Sequence, residues 1–128
     1  MPNRPVEAVM SPALVRVPSD ATLRDAARAM SDAGIGSVVI EASPDVLVTE
    51  RDLLGPLAEG TDVDAARALD YAGRRRPSVA PDVPLKDAAK RMVDGGVRHC
   101  LVVKDGQTVG VLSMRDIVRI LDVEDPPG

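Results

Sequence analysis

The stretch Leu23–Met30, LRDAARAM, returns 62 residues later as LKDAAKRM at Leu85–Met92. Both copies place apolar residues at positions i, i+3, i+4 and i+7, which is one face of an amphipathic helix. Thr22 precedes the first copy as a typical N-cap, and Gly34 and Gly95–Gly96 follow the two copies as typical helix ends. Each copy therefore predicts a helix, and the pair predicts an internal repeat.

The repeat extends beyond these helices. Each is followed by two strand-like runs, Ser37–Ile40 with Val46–Val48, and His99–Val103 with Val109–Leu112. The turn Lys104–Gln107 contains an Asp-Gly pair, which is a strong hairpin signal. A short helix is predicted after each hairpin, at Glu50–Leu54 and at Met114–Leu121.

Each half also begins with a helical stripe and a short strand. These lead-in segments are Val6–Met10 with Leu14–Val17, and Ala65–Ala72 with Pro77–Ala80. The order in each half is helix, strand, helix, strand, strand, helix, and Gly55-Pro56 with Gly60 punctuate the junction. We expect an α+β (α/β) fold of two tandem repeats, residues 6–60 and 61–123, with flexible termini at 1–5 and 124–128.

The composition predicts an aliphatic core. Of the 128 residues, 45% are hydrophobic, and the chain contains no Trp, no Phe and a single Tyr, Tyr71. A unit of about 60 residues is marginal by itself, so two halves that share a core are physically sensible. The preference for Arg over Lys, with abundant Ala, Val, Gly and Pro, is typical of a GC-rich bacterial coding bias.

Charge and cysteine content argue against several classes of protein. The net charge is −4 and the longest basic run is Arg74–Arg76, so we expect no nucleic-acid partner. No stretch approaches 18 apolar residues and no apolar signal segment follows Met1, so neither a membrane span nor secretion is predicted. The single cysteine, Cys100, allows no intramolecular disulfide and is consistent with a cytoplasmic location.

Two matching strand-to-helix junctions carry the candidate chemistry. They are VTERDL at 48–53 and LSMRDI at 112–117, each with a hydroxyl at the strand end and an aspartate three residues later. A helix N-terminus can hold an anion, a hydroxyl can contact phosphate, and an aspartate can accept hydrogen bonds from ribose hydroxyls. The alternative is a plain capping box, in which the aspartate accepts from the N-cap backbone. Spacing alone leaves both interpretations open.

The ordered set of motifs resembles a pair of cystathionine-β-synthase (CBS) domains, which together are called a Bateman module. The resemblance covers Val6 to Leu121 and also rests on GVRHCLVV at 96–103 and GVLSMRDI at 110–117. It implies two small sheets packed about a pseudo-twofold axis, with helices outside and two clefts between the repeats. In this family the clefts often bind AMP, ADP, ATP, NAD or S-adenosylmethionine, so an adenine nucleotide is the expected regulatory ligand and no cofactor is required.

By motif, the resemblance nominates two hydroxyl–aspartate pairs for ribose and phosphate, Ser113 with Asp116 and Thr49 with Asp52. The second-half pair is the better candidate. There, Gly110 is expected to let the backbone approach the ligand, whereas the first half has Val46 in that place and a shorter hairpin.

Phosphate binding also needs cations. The candidates are Arg98, His99, Arg16, Arg51 and Arg115, with Arg74–Arg76 as a further cleft-edge group. Each arginine can equally be a solvated surface charge, and His99 can be a packed residue. One histidine beside one cysteine is not a metal set, so no metal is expected. Cys100 aligns with Val38, which favours a buried small side chain over a redox sensor.

Catalysis is not expected. His99 and Cys100 lie on opposite faces of one strand, and the chain has no Ser-elbow, P-loop or Rossmann glycine pattern. Two functions remain open. In the first, an adenosine-containing small molecule shifts the module and an unknown partner protein senses the change. In the second, the clefts are vacant and the chain is a protein-interaction scaffold. The resemblance implies a homodimer in both cases.

Overall fold

The computed structural model describes residues 4–12, 15–73 and 76–124, with side chains to residue 120. Its α-helices are α1 (Leu23–Ala33), α2 (Glu50–Ala58), α3 (Leu85–Gly95) and α4 (Met114–Glu124). Its strands are β1 (Ser11–Pro12), β2 (Arg16–Val17), β3 (Ser37–Ile40), β4 (Val46–Thr49), β5 (Ser78–Val79), β6 (His99–Lys104) and β7 (Gln107–Ser113). Single 3-10 turns lie at Val6–Ala8 and Ala68–Asp70. The mixed α+β class and the order of the main elements are confirmed.

Helices α1 and α3 end where the glycines predict. Gly34 and Gly96 adopt left-handed conformations with φ of 67° and 64°, which a residue without a Cβ adopts at no steric cost. At the start of α1, the Thr22 N–H donates to Asp25 Oδ2 at 2.9 Å, and the Asp25 N–H donates to Thr22 Oγ1 at 3.1 Å. Local sequence therefore sets the bounds of these helices.

Two small sheets form around the predicted hairpins. One has the strand order β1-β7-β6-β5 and the other the order β2-β3-β4. In each, the two hairpin strands are antiparallel and a lead-in strand adds in parallel, β5 to β6 and β2 to β3. The second hairpin closes on Asp105 and Gly106, both with positive φ, as the Asp-Gly pair predicts.

The chain forms two compact units that differ from the sequence repeats. Unit 1 comprises residues 1–13 and 76–128, and unit 2 comprises residues 14–75. The first lead-in turn therefore completes the unit of the second repeat, and the second lead-in turn completes the unit of the first repeat. Leu14, expected to start a strand, lies outside the described residues.

Backbone hydrogen bonds fix the first lead-in segment in unit 1. The Val6 N–H donates to Val83 O at 2.8 Å, and the Leu85 N–H donates to Arg4 O at 2.7 Å. Arg4 is thus hydrogen-bonded within the unit through its backbone carbonyl. Val6 is fully buried in the core of this unit.

The second lead-in segment is held in the same way in unit 2. The Leu23 N–H donates to Ala66 O and the Ala68 N–H donates to Ala21 O, each at 2.9 Å. Ala68, the counterpart of Val6, is fully buried in this core. Each lead-in segment forms a single 3-10 turn in the described structure, and not the longer helix that its apolar stripe predicts.

Helix α2 corrects another expectation. The Gly55-Pro56 pair was expected to punctuate the chain, but the helix continues through it to Ala58. Pro56 is buried in the described structure, although a proline inside a helix cannot donate a backbone hydrogen bond.

Both cores are aliphatic, as the composition predicts. The buried core of unit 1 consists of Val6, Val79, Leu85, Ala88, Met92, Cys100, Val102, Leu112 and Ile117. That of unit 2 consists of Val17, Ala21, Leu23, Ala26, Met30, Val38, Ile40, Val48 and Ala68. These cores hold the two strand-to-helix junctions in place.

Candidate functional site

The second junction brings four predicted site residues to one corner of unit 1. Strand β7 ends at Ser113 and α4 begins at the next residue. The sheet register places His99 of β6 directly opposite Ser113. The residue before β6, Arg98, accepts a hydrogen bond through its carbonyl from the Met114 N–H at 2.9 Å. Arg98, His99, Ser113 and Asp116 are therefore neighbours through backbone pairing.

The predicted capping pair forms at this corner. The Ser113 N–H donates to Asp116 Oδ2 at 3.3 Å, and the Asp116 N–H donates to Ser113 Oγ at 3.1 Å. Together with Met114, three of the four amides from Ser113 to Asp116 are thus engaged within the protein. An anion at this corner must consequently be held mainly by side chains, not by the amides that usually serve at a helix N-terminus.

The first junction has the same backbone arrangement. The Thr49 N–H donates to Asp52 Oδ2 at 2.9 Å, and the Glu50 N–H donates to Gly36 O at 2.9 Å. Ser37 lies opposite Thr49 in the sheet, as His99 does for Ser113. Thr49 is 6% exposed. The capping-box geometry is therefore present at both junctions, and backbone structure does not distinguish them.

Side chains at two equivalent positions do distinguish them. Where the second junction has Arg98 and Met114, the first has Gly36 and Glu50. The Glu50 carboxylate carbon lies 3.4 Å from the point where a Cβ on Gly36 would stand. The sequence motif does not identify Gly36 and Glu50, because it aligns only the hydroxyl and the aspartate. Glu50 lies between those two residues, and Gly36 lies 13 residues before Thr49. Position-by-position charge comparison of the repeats is the signal that identifies them.

Gly110 has a different neighbour from the one expected. A Cβ there would lie 2.3 Å from Met10 Sδ and 2.9 Å from Ser11 O. The absent side chain thus admits the chain's own segment, which pairs with β7 as β1. In unit 2 the counterparts of Met10 and Gly110 are the smaller Ala72 and the larger Val46, both packed against the core. The Gly110–Val46 difference is therefore explained by packing.

The remaining cationic candidates are dispersed. Arg16 Nη2 donates to Asp45 Oδ2 at 2.8 Å, so this guanidinium is engaged by the first hairpin. Arg51 and Arg115 are exposed in the first turns of α2 and α4. Arg74 and Arg75 lie outside the described residues. Of the arginine candidates, Arg98 and Arg115 lie in the segments that form the second junction.

Cys100 is buried beside this junction, in the core of unit 1. Its thiol donates to Leu101 O at 3.5 Å. Burial raises the pKa of the Cys100 thiol to about 11, although the Arg91 charge opposes the rise. Because the thiolate is the reactive form, the structure supports the expected role of Cys100 as a small core side chain.

We predict that iodoacetamide at pH 8 will leave Cys100 unmodified in the folded protein and alkylate it fully in 6 M guanidinium chloride. The raised pKa keeps the thiol protonated until the pH approaches 11, and burial denies access to the reagent. Mass spectrometry of a time course measures the modification. The variant Cys100→Val, which places the first-repeat residue there, should fold with unchanged secondary structure and show no modification. Rapid alkylation of the native protein would contradict the assignment.

Metal binding and membrane insertion are the two further functions considered for the described residues. Within these residues, no group of three or more His, Cys, Asp or Glu side chains is placed to hold a metal ion. Across the same part of the chain, no helix is both long and apolar enough to span a membrane.

Comparison with known proteins identifies relatives along most of the chain. The family model described as CBS domain matches residues 6–59 and 68–123. An uncharacterized protein of Methanopyrus kandleri is 35% identical over 96 residues, which cover 71% of this chain and 49% of the relative. The chain spans about half the length of the curated relatives that it matches.

Solved structures share the fold. The CBS domain protein PAE2072 from Pyrobaculum aerophilum, complexed with AMP, is 30% identical with a TM-score of 0.77, and the match covers 88% of each chain. Hypoxic Response Protein I, solved with two coordinated zinc ions, is 25% identical with a TM-score of 0.75, and the match covers 90% of this chain and 97% of that one.

Proposed function

The chain belongs to the CBS domain family as a tandem pair of regulatory domains, and from this premise we propose that it senses an adenosine-containing ligand and signals to a partner protein. The candidate ligands are AMP, ADP, ATP, NAD and S-adenosylmethionine. The proposed site is the junction of β7 with α4, where Ser113 and Asp116 lie beside Arg98 and His99. The matched family is regulatory, and the matches indicate no enzymatic family.

One observation carries the proposal. At this corner, backbone pairing brings an aspartate, a hydroxyl, an imidazole and two arginines, Arg98 and Arg115, into neighbouring positions. An aspartate accepts hydrogen bonds from vicinal hydroxyls, and guanidinium groups bind phosphate. The AMP complex of the Pyrobaculum aerophilum relative supports the choice of ligand class.

The geometry of Asp116 permits both a cap and a ligand contact. Among the described residues, Ser113 donates to Oδ2 of Asp116, which leaves Oδ1 to accept from a ribose hydroxyl. Arg98 and Arg115 would hold the phosphate, with Ser113 Oγ close by. Binding regulates a partner only to the extent that the ligand favours one state of the module over another.

A thermal-shift panel with AMP, ADP, ATP, NAD and S-adenosylmethionine tests the proposal. At a hundredfold excess over Kd, a ligand of the folded state should stabilise the chain by about 2.7 kcal/mol. The variant Asp116→Ala should lose this response, and should also lose about 1 kcal/mol of stability because a helix cap is removed. Calorimetry then measures Kd for any ligand that shifts the melting temperature.

The matched control is Asp52→Ala, which removes the equivalent cap from α2. It should cost a similar amount of stability and keep the ligand response. No shift with any of the five ligands at millimolar concentration would refute the proposed function.

A second candidate function is a scaffold without ligand, in which the aspartates only cap helices. The complete capping geometry at both junctions favours it. On this interpretation Asp116→Ala and Asp52→Ala lower stability equally and neither changes any response to nucleotide. The same panel therefore separates the two candidates.

We also propose that the chain forms a homodimer. Helix α2 exposes two leucines, Leu54 at 64% and Leu57 at 58%, and α4 exposes Val118 at 51%. Leu54 and Val118 occupy equivalent positions of the two repeats. Side chains three residues apart share one helix face, so Leu54 and Leu57 form an apolar patch on α2 that a second copy would cover.

A further inference from the structure

We infer that Glu50 excludes phosphorylated ligands from the first junction, so that each chain binds one such ligand, at the second. This inference rests on the proposed function and adds the residue that decides which junction is used. Both junctions keep the hydroxyl–aspartate pair, and neither their backbone nor their caps differ in kind. The selection must therefore come from neighbouring side chains.

The backbone amides at the start of α2 and α4 are already engaged within the protein. At the first junction the Thr49 N–H donates to Asp52 and the Glu50 N–H donates to Gly36 O. The equivalent amides of Ser113 and Met114 are engaged in the same way. With these donors used at both corners, side-chain charge decides whether a phosphate is attracted or repelled.

The side-chain charges at the two junctions sum to opposite signs. The first turn of α2 contains two carboxylates, Glu50 and Asp52, whereas the first turn of α4 contains only Asp116. Each turn has one arginine, and the second junction gains Arg98 where the first has Gly36. With histidine neutral, the charges of Glu50, Asp52 and Arg51 sum to −1 at the first junction. Those of Asp116, Arg115 and Arg98 sum to +1 at the second junction.

The Glu50 side chain lies against Gly36. Its carboxylate oxygens lie 3.5 and 3.7 Å from the point where a Cβ on Gly36 would stand, so the side chain folds over this residue. Gly36 immediately precedes β3, and Ser37 pairs with Thr49. The Glu50 carboxylate therefore lies at the same end of the sheet as Thr49. It lies over Gly36, whose equivalent in the second repeat is Arg98. A phosphate there would face Glu50 instead of an arginine.

The experiment measures stoichiometry by isothermal titration calorimetry with AMP. The unmodified chain should bind one AMP per chain, and Asp116→Ala should abolish binding. The double variant Gly36→Arg/Glu50→Met copies the residues of the second repeat into the first, and it should bind two. In that background, Asp116→Ala should leave one site. Glu50→Gln alone should raise AMP affinity at the first junction by about tenfold.

Glu59→Gln is the matched control, because it removes one carboxylate at the exposed end of α2, away from the junction. It should leave one site. Two sites in the unmodified chain, or one site in a folded double variant, would overturn this inference and leave the proposed function intact. If the thermal-shift panel selects ADP, ATP or NAD instead of AMP, the same titrations use that ligand. A chain that binds only S-adenosylmethionine would overturn this inference alone, and a chain that binds none of the five ligands would overturn both. Circular dichroism of each variant verifies folding.

Discussion

Replacing Gly110 with valine should lower the free energy of unfolding by about 2–3 kcal/mol, the cost typical of overpacking a well-packed core. A side chain at this position meets Met10 Sδ and the backbone oxygen of Ser11, both within 3.0 Å of the new Cβ. Met10 can rotate away, but Ser11 O can move only with β1, which pairs with β7 at Gly110. Strand β1 must therefore shift or detach. Urea denaturation followed by circular dichroism measures the loss.

The double variant Met10→Ala/Gly110→Val tests the cause. It introduces the residues that unit 2 has at the equivalent positions, Ala72 and Val46. It should therefore recover about half of the lost stability. The remaining loss of stability comes from the contact between the new valine and Ser11 O, which Met10→Ala does not relieve. Val46→Gly is the reciprocal control and should cost about 1–2 kcal/mol, from lost burial and added chain entropy. Equal stability of Gly110→Val and the unmodified chain would exclude the packing role of Gly110.

Replacing both Leu54 and Leu57 with lysine should convert the proposed homodimer to a monomer. These side chains are 64% and 58% exposed in the single chain. Burying a leucine contributes about 1.5–3 kcal/mol, and a dimer buries both residues twice. Two like charges per chain would in addition have to be desolvated at the contact. The dissociation constant of the dimer should therefore rise at least 100-fold, and size-exclusion chromatography with light scattering measures the loss of dimer.

The control adds the same charge elsewhere. Ser19→Lys/Gln107→Lys places two lysines at exposed positions outside α2, and it should leave the oligomeric state unchanged. Circular dichroism should show unchanged helix content in both double variants, because the leucines contribute little to the fold of the monomer. A monomeric unmodified chain at micromolar concentration would refute the homodimer.

Much of the candidate site could be predicted from the sequence. The pairs Thr49–Asp52 and Ser113–Asp116 were expected as caps or ligand contacts, and the cap geometry is present at both. The pairing of His99 with Ser113 also needs the register shift between Val102 and Val103, because the register set by the Asp-Gly turn alone would place His99 opposite Leu112. The caps and the hairpin turn depend on residues close together in the chain, so local spacing determines them, whereas only the structure gives the register shift.

The reason for preferring the second junction could not be predicted correctly. Gly110 was expected to admit a ligand, and in the structure it admits Met10 and Ser11, about 100 residues away along the chain. The preference now rests on Arg98 and Met114 against Gly36 and Glu50. These residues lie together in pairs because the Met114 N–H donates to Arg98 O and the Glu50 N–H donates to Gly36 O.

By itself, the sequence determined the repeat, the helix ends, the hairpins and the aliphatic core of this protein, because periodicity and capping act over a few residues. Only the tertiary structure decided that each lead-in turn packs in the unit formed mainly by the other repeat. Val6 is buried with the second repeat and Ala68 with the first. Both lead-in turns have similar apolar patterns, so no local signal assigns either to its unit. Burial and hydrogen bonding with distant segments make that assignment, and they also determine why position 110 is a glycine.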